Sequence, residues 1–295
     1  MSPRREPLPF RVRPASGPGA PRPSAGASET PRRRRLPPPV VPERAPLPAD
    51  PASLPPLPAE FHETLAPGLV RLGLTLTAAQ LEALDGYVRL LLAWTEAINL
   101  TAIREPAAVA RDHLLDSLTA VPILSQPDVR RILDLGSGGG LPGIPLAIAL
   151  PNAAILLVES VGKKALFLRT AVAALGLAER VSVATERSET LAAPNRERAA
   201  FDAVTVRAVG SLPELVELAF PLLRVGGRLV AWKREPFAAE GAAGRNAARA
   251  LGGQVDTIPV EVAGLEDHLL VIAAKTRVTA ARFPRPPAER RAHPL

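Results

Sequence analysis

From about Ala59 to Leu124 apolar positions recur at helical spacing, with Leu81, Leu84, Val88, Leu91, Leu92 and Ile98 on one stripe. Thr77 and Gln80 stand three apart before that stripe, the spacing of a capping box, and Asn99 is placed to close the helix. A second helix is predicted over Pro106 to Leu118. Beyond Leu124 the period changes. Short apolar runs alternate with helical stretches and turn signals, the order of parallel strands covered by helices. The pattern predicts strands at Ile132 to Leu135, Ile155 to Glu159, Val181 to Ala184, Ala203 to Arg207, Arg228 to Lys233, Gln254 to Glu261 and His268 to Lys275. Helices are predicted at Ile144 to Leu150, Lys163 to Leu175, Leu212 to Leu223 and Glu240 to Leu251. The last two strands are joined by a short turn at Gly264 to Asp267, which predicts a closing antiparallel pair. No internal repeat is visible.

Composition divides the 295 residues differently. Residues 1 to 58 hold 18 of the 34 prolines and 10 Arg against 4 acids, so this stretch predicts a disordered, partly polyproline-like arm rather than an amphipathic transit helix. Residues 275 to 295 hold 6 basic residues against 1 acid, whereas the stretch between the ends is net acidic. The basic ends predict a polyanionic partner touched by the tails. The division expected is therefore an arm (1–58), a helical subdomain (59–125), a ligand-binding α/β domain (126–278) and a basic C-terminal tail (279–295). With no cysteine, disulfides, thiolate metal sites and cysteine nucleophiles are excluded, and no metal site is expected. No apolar run reaches the length of a membrane span, so a cytoplasmic protein with no membrane partner is expected. Ten aromatic residues argue against a base-stacking sheet.

The chemistry is concentrated where the strand Arg131-Ile132-Leu133-Asp134-Leu135 runs into Gly136-Ser137-Gly138-Gly139-Gly140-Leu141-Pro142-Gly143 and then a helix. Glycine there lets the chain turn tightly and lets a ligand approach the backbone amides. Gly138, Gly140 and Gly143 also match G-x-G-x-x-G, so a dinucleotide is a rival ligand. Glu159, at the end of the next strand, is placed to accept both hydroxyl protons of an adenosine ribose, which suits NAD and S-adenosylmethionine equally. Three features favour the sulfonium compound: Asp134 within the first strand, expected near its cationic groups; the closing strand pair; and the lack of a second catalytic domain to hold a hydride acceptor.

The glycine loop and its flanking residues through Ile148 resemble one family of class I methyltransferases, the glucose-inhibited division protein B family, the bacterial 16S ribosomal RNA guanine-N7 methyltransferases. Trp94 with Asn99-Leu100-Thr101, His113 through Asp116-Ser117, Val206-Arg207-Ala208 and Phe283-Pro284-Arg285 agree in order, so the resemblance covers about Phe61 to Leu295. It implies a Rossmann-like class I methyltransferase sheet, S-adenosyl-L-methionine as cofactor, and 16S ribosomal RNA or a small-subunit assembly particle as partner. It also implies a cofactor pocket at Gly136, Leu141, Glu159, Ser188, Glu189 and Arg207, to which the loop itself adds Gly138. Glu159, Ser188 and Arg207 are predicted at or beyond strand ends on the edge where open α/β sheets bind ligands. Ser188 and Glu189 equally suit a helix cap.

His113, Arg207 and Lys233 are the positioning candidates for catalysis; no residue is assigned as a catalytic acid or base. His113 and Asp116 share a helix face and either line a pocket or anchor the helical subdomain. Trp94 reads as core. Lys233 is placed to reach an RNA phosphate or a guanine O6. Two other functions fit the pattern: a non-catalytic RNA-binding assembly factor on the same fold, and an NAD-dependent oxidoreductase. A monomer is expected.

Overall fold

The computed structural model describes residues 47–295. Seven strands form one sheet: β1 (Arg131–Leu135), β2 (Ala154–Val158), β3 (Val181–Ala184), β4 (Phe201–Arg207), β5 (Leu223–Arg234), β6 (Gly253–Pro259) and β7 (His268–Lys275). Their order is β3-β2-β1-β4-β5-β7-β6. β1 to β5 are parallel, and β7 enters antiparallel between β5 and β6. The expected antiparallel pair is present. The order reverses between β1 and β4, which opens a crevice at their carboxyl ends.

Alternation along the strands sends side chains to two cores. Ile132, Ile155, Leu157 and Ala203 face one layer, and Leu133, Leu135, Val158 and Val204 face the other. The first layer holds α1 (Ala59–Arg71), α2 (Ala78–Ile98), a rod termed α3, α4 (Val121–Leu124), α5 (Gly143–Ala149) and α6 (Gly162–Ala174). In α3, Pro106–Ala108 and Asp116–Leu118 flank a π-helical stretch, Val109–Leu115, that carries His113. Such local widening recurs at functional sites. The second layer holds α7 (Ser188–Leu191), α8 (Leu212–Ala219) and α9 (Ala238–Leu251), and the C-terminal α10 (Pro287–Ala292) is tied to α7 by Arg290 and Glu189.

The Thr77–Gln80 capping box forms, and Asn99 ends α2 in the left-handed conformation. α8 stops at Ala219, short of the predicted Leu223, because Pro221 offers no amide to continue the ladder. β5 accordingly begins early, with Leu223 beside Phe201 ahead of a register shift at Gly226 and Gly227.

The structure also redraws the predicted divisions. Residues 1–46 lie outside the described residues. Residues 47–58, expected within the arm, pack on α2: Leu54 and Leu57 rest on the core, and Trp94 Nε1 donates to Pro48 O at 2.7 Å. Trp94 itself is core, beside Phe167. The helical segment has no core of its own; it shares one with the sheet. Nor does the C-terminal tail hang free, since Lys275, Arg285 and Arg290 spend their charge inside the fold. Lys275 Nζ donates to Phe220 O and Leu223 O, both at 2.6 Å, and Arg285 pairs with Glu217 at 2.6 Å. Only Arg277, Arg282 and Arg291 of that basic set are exposed.

Candidate active site

The glycine loop joins β1 to α5. Its Gly136 and Ser137 amides both donate to Val158 O at 2.9 Å, which locks the loop against the end of β2. Gly140 needs its glycine: φ is +87°, and a Cβ would collide with Ile144. At Gly138, φ is +55° and a Cβ would meet nothing nearer than Gly136 O at 3.8 Å, so the loop there faces open space. Glu159 lies just past β2 and clamps this turn. Its Oε2 accepts from the Gly138 amide at 3.0 Å and its Oε1 from Val161 N at 2.7 Å. One more tether comes from α2, where the fully buried Tyr87 hydroxyl donates to Gly139 O at 2.6 Å.

Beside the loop opens a cleft of about 210 Å³ lined by Gly136, Glu159, Ser188, Glu189 and, from α10, Arg290. Ser188 opens α7 as its first residue rather than capping it; Arg187 holds the cap position. Burial pushes the Glu189 carboxyl upward, but its bond to Arg290 at 2.6 Å, together with the Arg290 charge, a backbone amide and Ser188, holds the group below its ordinary value.

A second cavity, about 540 Å³, adjoins the first along Val209. Asp112, His113, Asp116, Arg207, Trp232, Lys233 and His268 line it. Arg207, expected in the cofactor pocket, is here instead. Its Nη1 donates to Asp116 Oδ2 and to Asp112 O, each at 2.8 Å. Leu141 is buried in the first core and lines neither cavity, and Gly138 meets the cleft only through its bond to Glu159. Asp134, expected near the cofactor's cationic groups, lies against Gly143 of the loop. It is buried beneath the loop, accepting from Thr205 Oγ1 at 2.8 Å, and burial pushes its carboxyl up to about 6 against the bonds from Thr205 and Ser137.

Asp116 is the hub of the larger cavity. Besides Arg207 it takes His268 Nδ1 on Oδ1 at 2.8 Å, and its backbone carbonyl accepts Trp232 Nε1 at 2.8 Å. The pocket-lining and anchoring roles foreseen for His113 and Asp116 thus coincide. Burial, aided by the Arg207 charge, lowers His113 to about 4. A guanidinium only donates, so His113 Nδ1, 3.4 Å from Arg207 Nη2, is the acceptor, and Nε2–H is assigned as donor to Thr101 Oγ1 at 2.6 Å. Lys233 pairs with Glu240 at 2.6 Å and donates to Gly210 O at 2.9 Å. Sequence reasoning singled out neither His268, Tyr87 nor Arg290 as a site residue.

The reversed β7 separates this sheet from the dinucleotide-binding folds that share its glycine loop, and a carboxylate clamping the loop suits a ribose diol beside backbone amides. The fold and site are those of a class I methyltransferase that uses S-adenosylmethionine, so the oxidoreductase reading falls. Within that class the chain belongs to the GidB family, rRNA small subunit methyltransferase G, whose model matches residues 80–270. Three relatives bearing the name Ribosomal RNA small subunit methyltransferase G illustrate the similarity. That of Roseiflexus sp. (strain RS-1) is 43% identical over 75% of this chain and 95% of its own. That of Sorangium cellulosum (strain So ce56) is 48% identical over 63% and 75%, and that of Bacillus velezensis is 34% identical over 79% and 98%. The chain is accordingly an enzyme, and the non-catalytic reading falls with the other. No described helix is long and apolar enough to cross a membrane.

Proposed function

We propose that this chain transfers a methyl group from S-adenosylmethionine to N7 of a guanine in 16S ribosomal RNA, acting as a cytoplasmic monomer on the RNA or on a small-subunit assembly particle. One observation carries the reading: among the described residues lining the larger cavity, Asp112, His113 and Asp116 all have their acceptors engaged, and His268 Nε2, 3.7 Å from Asp267, is the one ring nitrogen without a hydrogen bond. Both His113 nitrogens are bonded, and the ring is neutral above about pH 4. Asp116 is held by Arg207 and His268, and Asp112 by Arg111 through bonds of 2.8 and 3.0 Å. N7 of guanine carries an in-plane lone pair and no proton, so it needs no base, whereas a ribose hydroxyl or exocyclic amine does.

When bound, the cofactor supplies an electrophilic methyl carbon. The protein's part is positioning. The smaller cleft holds the nucleoside: Glu159 faces the ribose, the glycine loop lies against it, and Ser188 and Glu189 stand beyond. Arg207, Lys233 and Arg234 give the neighbouring cavity a cationic lining suited to a phosphate or a guanine O6. The Asp112 and Asp116 carboxylates lie in the same wall, where they favour the positive charge that methylation places on the purine. Guanine N7 is inaccessible in the deep, narrow major groove of an RNA duplex, so the substrate is a looped or opened guanine.

The test is chemical. Ribosomal RNA methylated by the purified enzyme is reduced and treated with aniline, and RNA from a deletion strain is mapped by mass. Chain cleavage at one guanine, absent from the deletion strain, is expected. Aniline-resistant product, or a rate that titrates a single base between about pH 6 and 9, would overturn the N7 assignment.

A further inference from the structure

The smaller cleft has a wall that the strand edges do not supply. We propose that Arg290, on the C-terminal helix α10, is a positioning residue of the cofactor site. Its guanidinium holds the Glu189 carboxylate at the nucleoside end of the cleft and couples docking of the C-terminal segment to cofactor binding. The inference rests on the reading of this cleft as the cofactor site.

Arg290 Nη2 reaches Glu189 Oε1 at 2.6 Å, and its side chain is only 7% exposed. A guanidinium so placed is oriented by its pairing, and the carboxylate it fixes is kept ionised, hence acceptor-only, toward the N–H and O–H donors of an adenosine. Arg290 Nε is also buried and has no hydrogen-bond partner; Glu214 Oε1, another cleft-lining atom, stands 3.8 Å away.

The chain leading into α10 is anchored without Arg290. Arg198 donates to Thr279 O at 3.1 Å, Ala280 O at 2.9 Å and Phe283 O at 2.8 Å. Arg285 grips Glu217 with two side-chain bonds of 2.8 and 2.6 Å and a backbone bond of 2.9 Å. Arg290 Nη1 donates to Arg285 O at 2.7 Å, so the arginine that faces the cleft is braced by one that does not. Two latches and one ligand-facing charge are separate groups, and they can be altered separately.

The experiment titrates S-adenosylhomocysteine into the full chain by calorimetry, for wild type, Arg290→Gln, Arg290→Lys, Glu189→Gln, the Glu189→Gln/Arg290→Gln pair and Glu159→Gln. Arg290→Gln is expected to weaken binding ~10-fold with KM for the cofactor raised and kcat unchanged, Arg290→Lys to restore part of it, and the double variant to be no weaker than the worse single one. Saturating S-adenosylhomocysteine should slow carboxypeptidase release of the last residues in wild type and less so in Glu189→Gln. Urea midpoints measured alongside identify lost folding, and partial rescue by Lys then separates position from packing. Wild-type affinity in Arg290→Gln while Glu159→Gln loses it would overturn the inference and leave the site assignment standing, as would strictly additive losses in the double variant. Failure of the wild type to bind would overturn the site assignment and the inference with it.

Discussion

Tyr87→Phe removes a single oxygen from a ring with no solvent exposure, leaving packing intact and Gly139 O without its donor. Burial pushes the phenol well above its ordinary value of 10, so the group is a donor at every working pH. A buried carbonyl left unpaired costs about 1 to 3 kcal/mol. For a chain of this size each kcal/mol moves the midpoint by roughly 2 to 4 °C, so Tm should fall by about 2 to 12 °C. In urea the midpoint should fall with the slope unchanged, because the surface exposed on unfolding is the same. The affected carbonyl is one residue from the Gly138 amide that Glu159 clamps, so S-adenosylhomocysteine affinity should fall as well, by ~5-fold, if the loop relaxes before binding and must be re-ordered. Calorimetric titration and thermal melting measure the two effects on one preparation. A variant that melts within a degree of wild type and binds equally well would refute the claim that α2 braces the loop.

Gly138→Asp should lower the melting temperature by only a few degrees, since the Cβ meets nothing nearer than 3.8 Å and the left-handed backbone costs a non-glycine about 1 to 2 kcal/mol, yet lose cofactor binding, because a side chain and a negative charge would stand where ligand meets backbone; retained affinity in a titration counts against the site. Asp116→Asn should cost about 3 to 5 kcal/mol in urea unfolding, because Arg207, 15% exposed, loses its ionic partner; a loss below 1 kcal/mol would show the pair to be solvated. His113 is held at about 4 when folded against 6.5 when unfolded, so its contribution is present above pH 6.5 and lost as pH falls toward 4, by about 3 kcal/mol. The difference between wild-type and His113→Gln stability across that window isolates the effect, since Asp134, raised to about 6 and opposite in sign, is common to both. His113→Asn should lower activity without changing the shape of the pH–rate profile between 6 and 9, and a profile that loses an ionisation would show the ring to be a base.

Local signals carried much of the fold. Each strand is a short apolar run between turn residues, and β3 and β7 lie where alternation put them. The glycine loop and Glu159 were legible because a tight turn at a strand end demands particular residues at particular spacings. What escaped was long-range pairing. Tyr87 reads as one more core position on α2, and nothing near it in sequence tells that its hydroxyl reaches Gly139, 52 residues on. Arg207 stood at the correct strand end, but which cavity it faces was decided by Asp116 on a helix 91 residues away. The tail's basic character suggested solvent and phosphate; Glu217 and Glu189, invisible as partners, took those charges instead.

The placement of β7 has a consequence for synthesis. It is the last strand made, yet it lies inside the sheet, so until it emerges β5 and β6 each present an open edge with nothing between them. His268, its first residue, closes on Asp116 across 152 residues of chain. A ribosome that has released everything through β6 therefore carries a glycine loop already tethered to α2, beside a cavity whose hub still lacks one of its partners. Loop closure over such distances is slow, and exposed strand edges invite association. The glycine loop thus matures before either cavity is complete, the larger one waiting for His268 and the smaller one for Arg290, so a C-terminally truncated chain should bind cofactor more weakly than the full chain. Insertions should be borne more easily in the turn around Gly176 that leads into β3 than anywhere between Gly253 and Lys275.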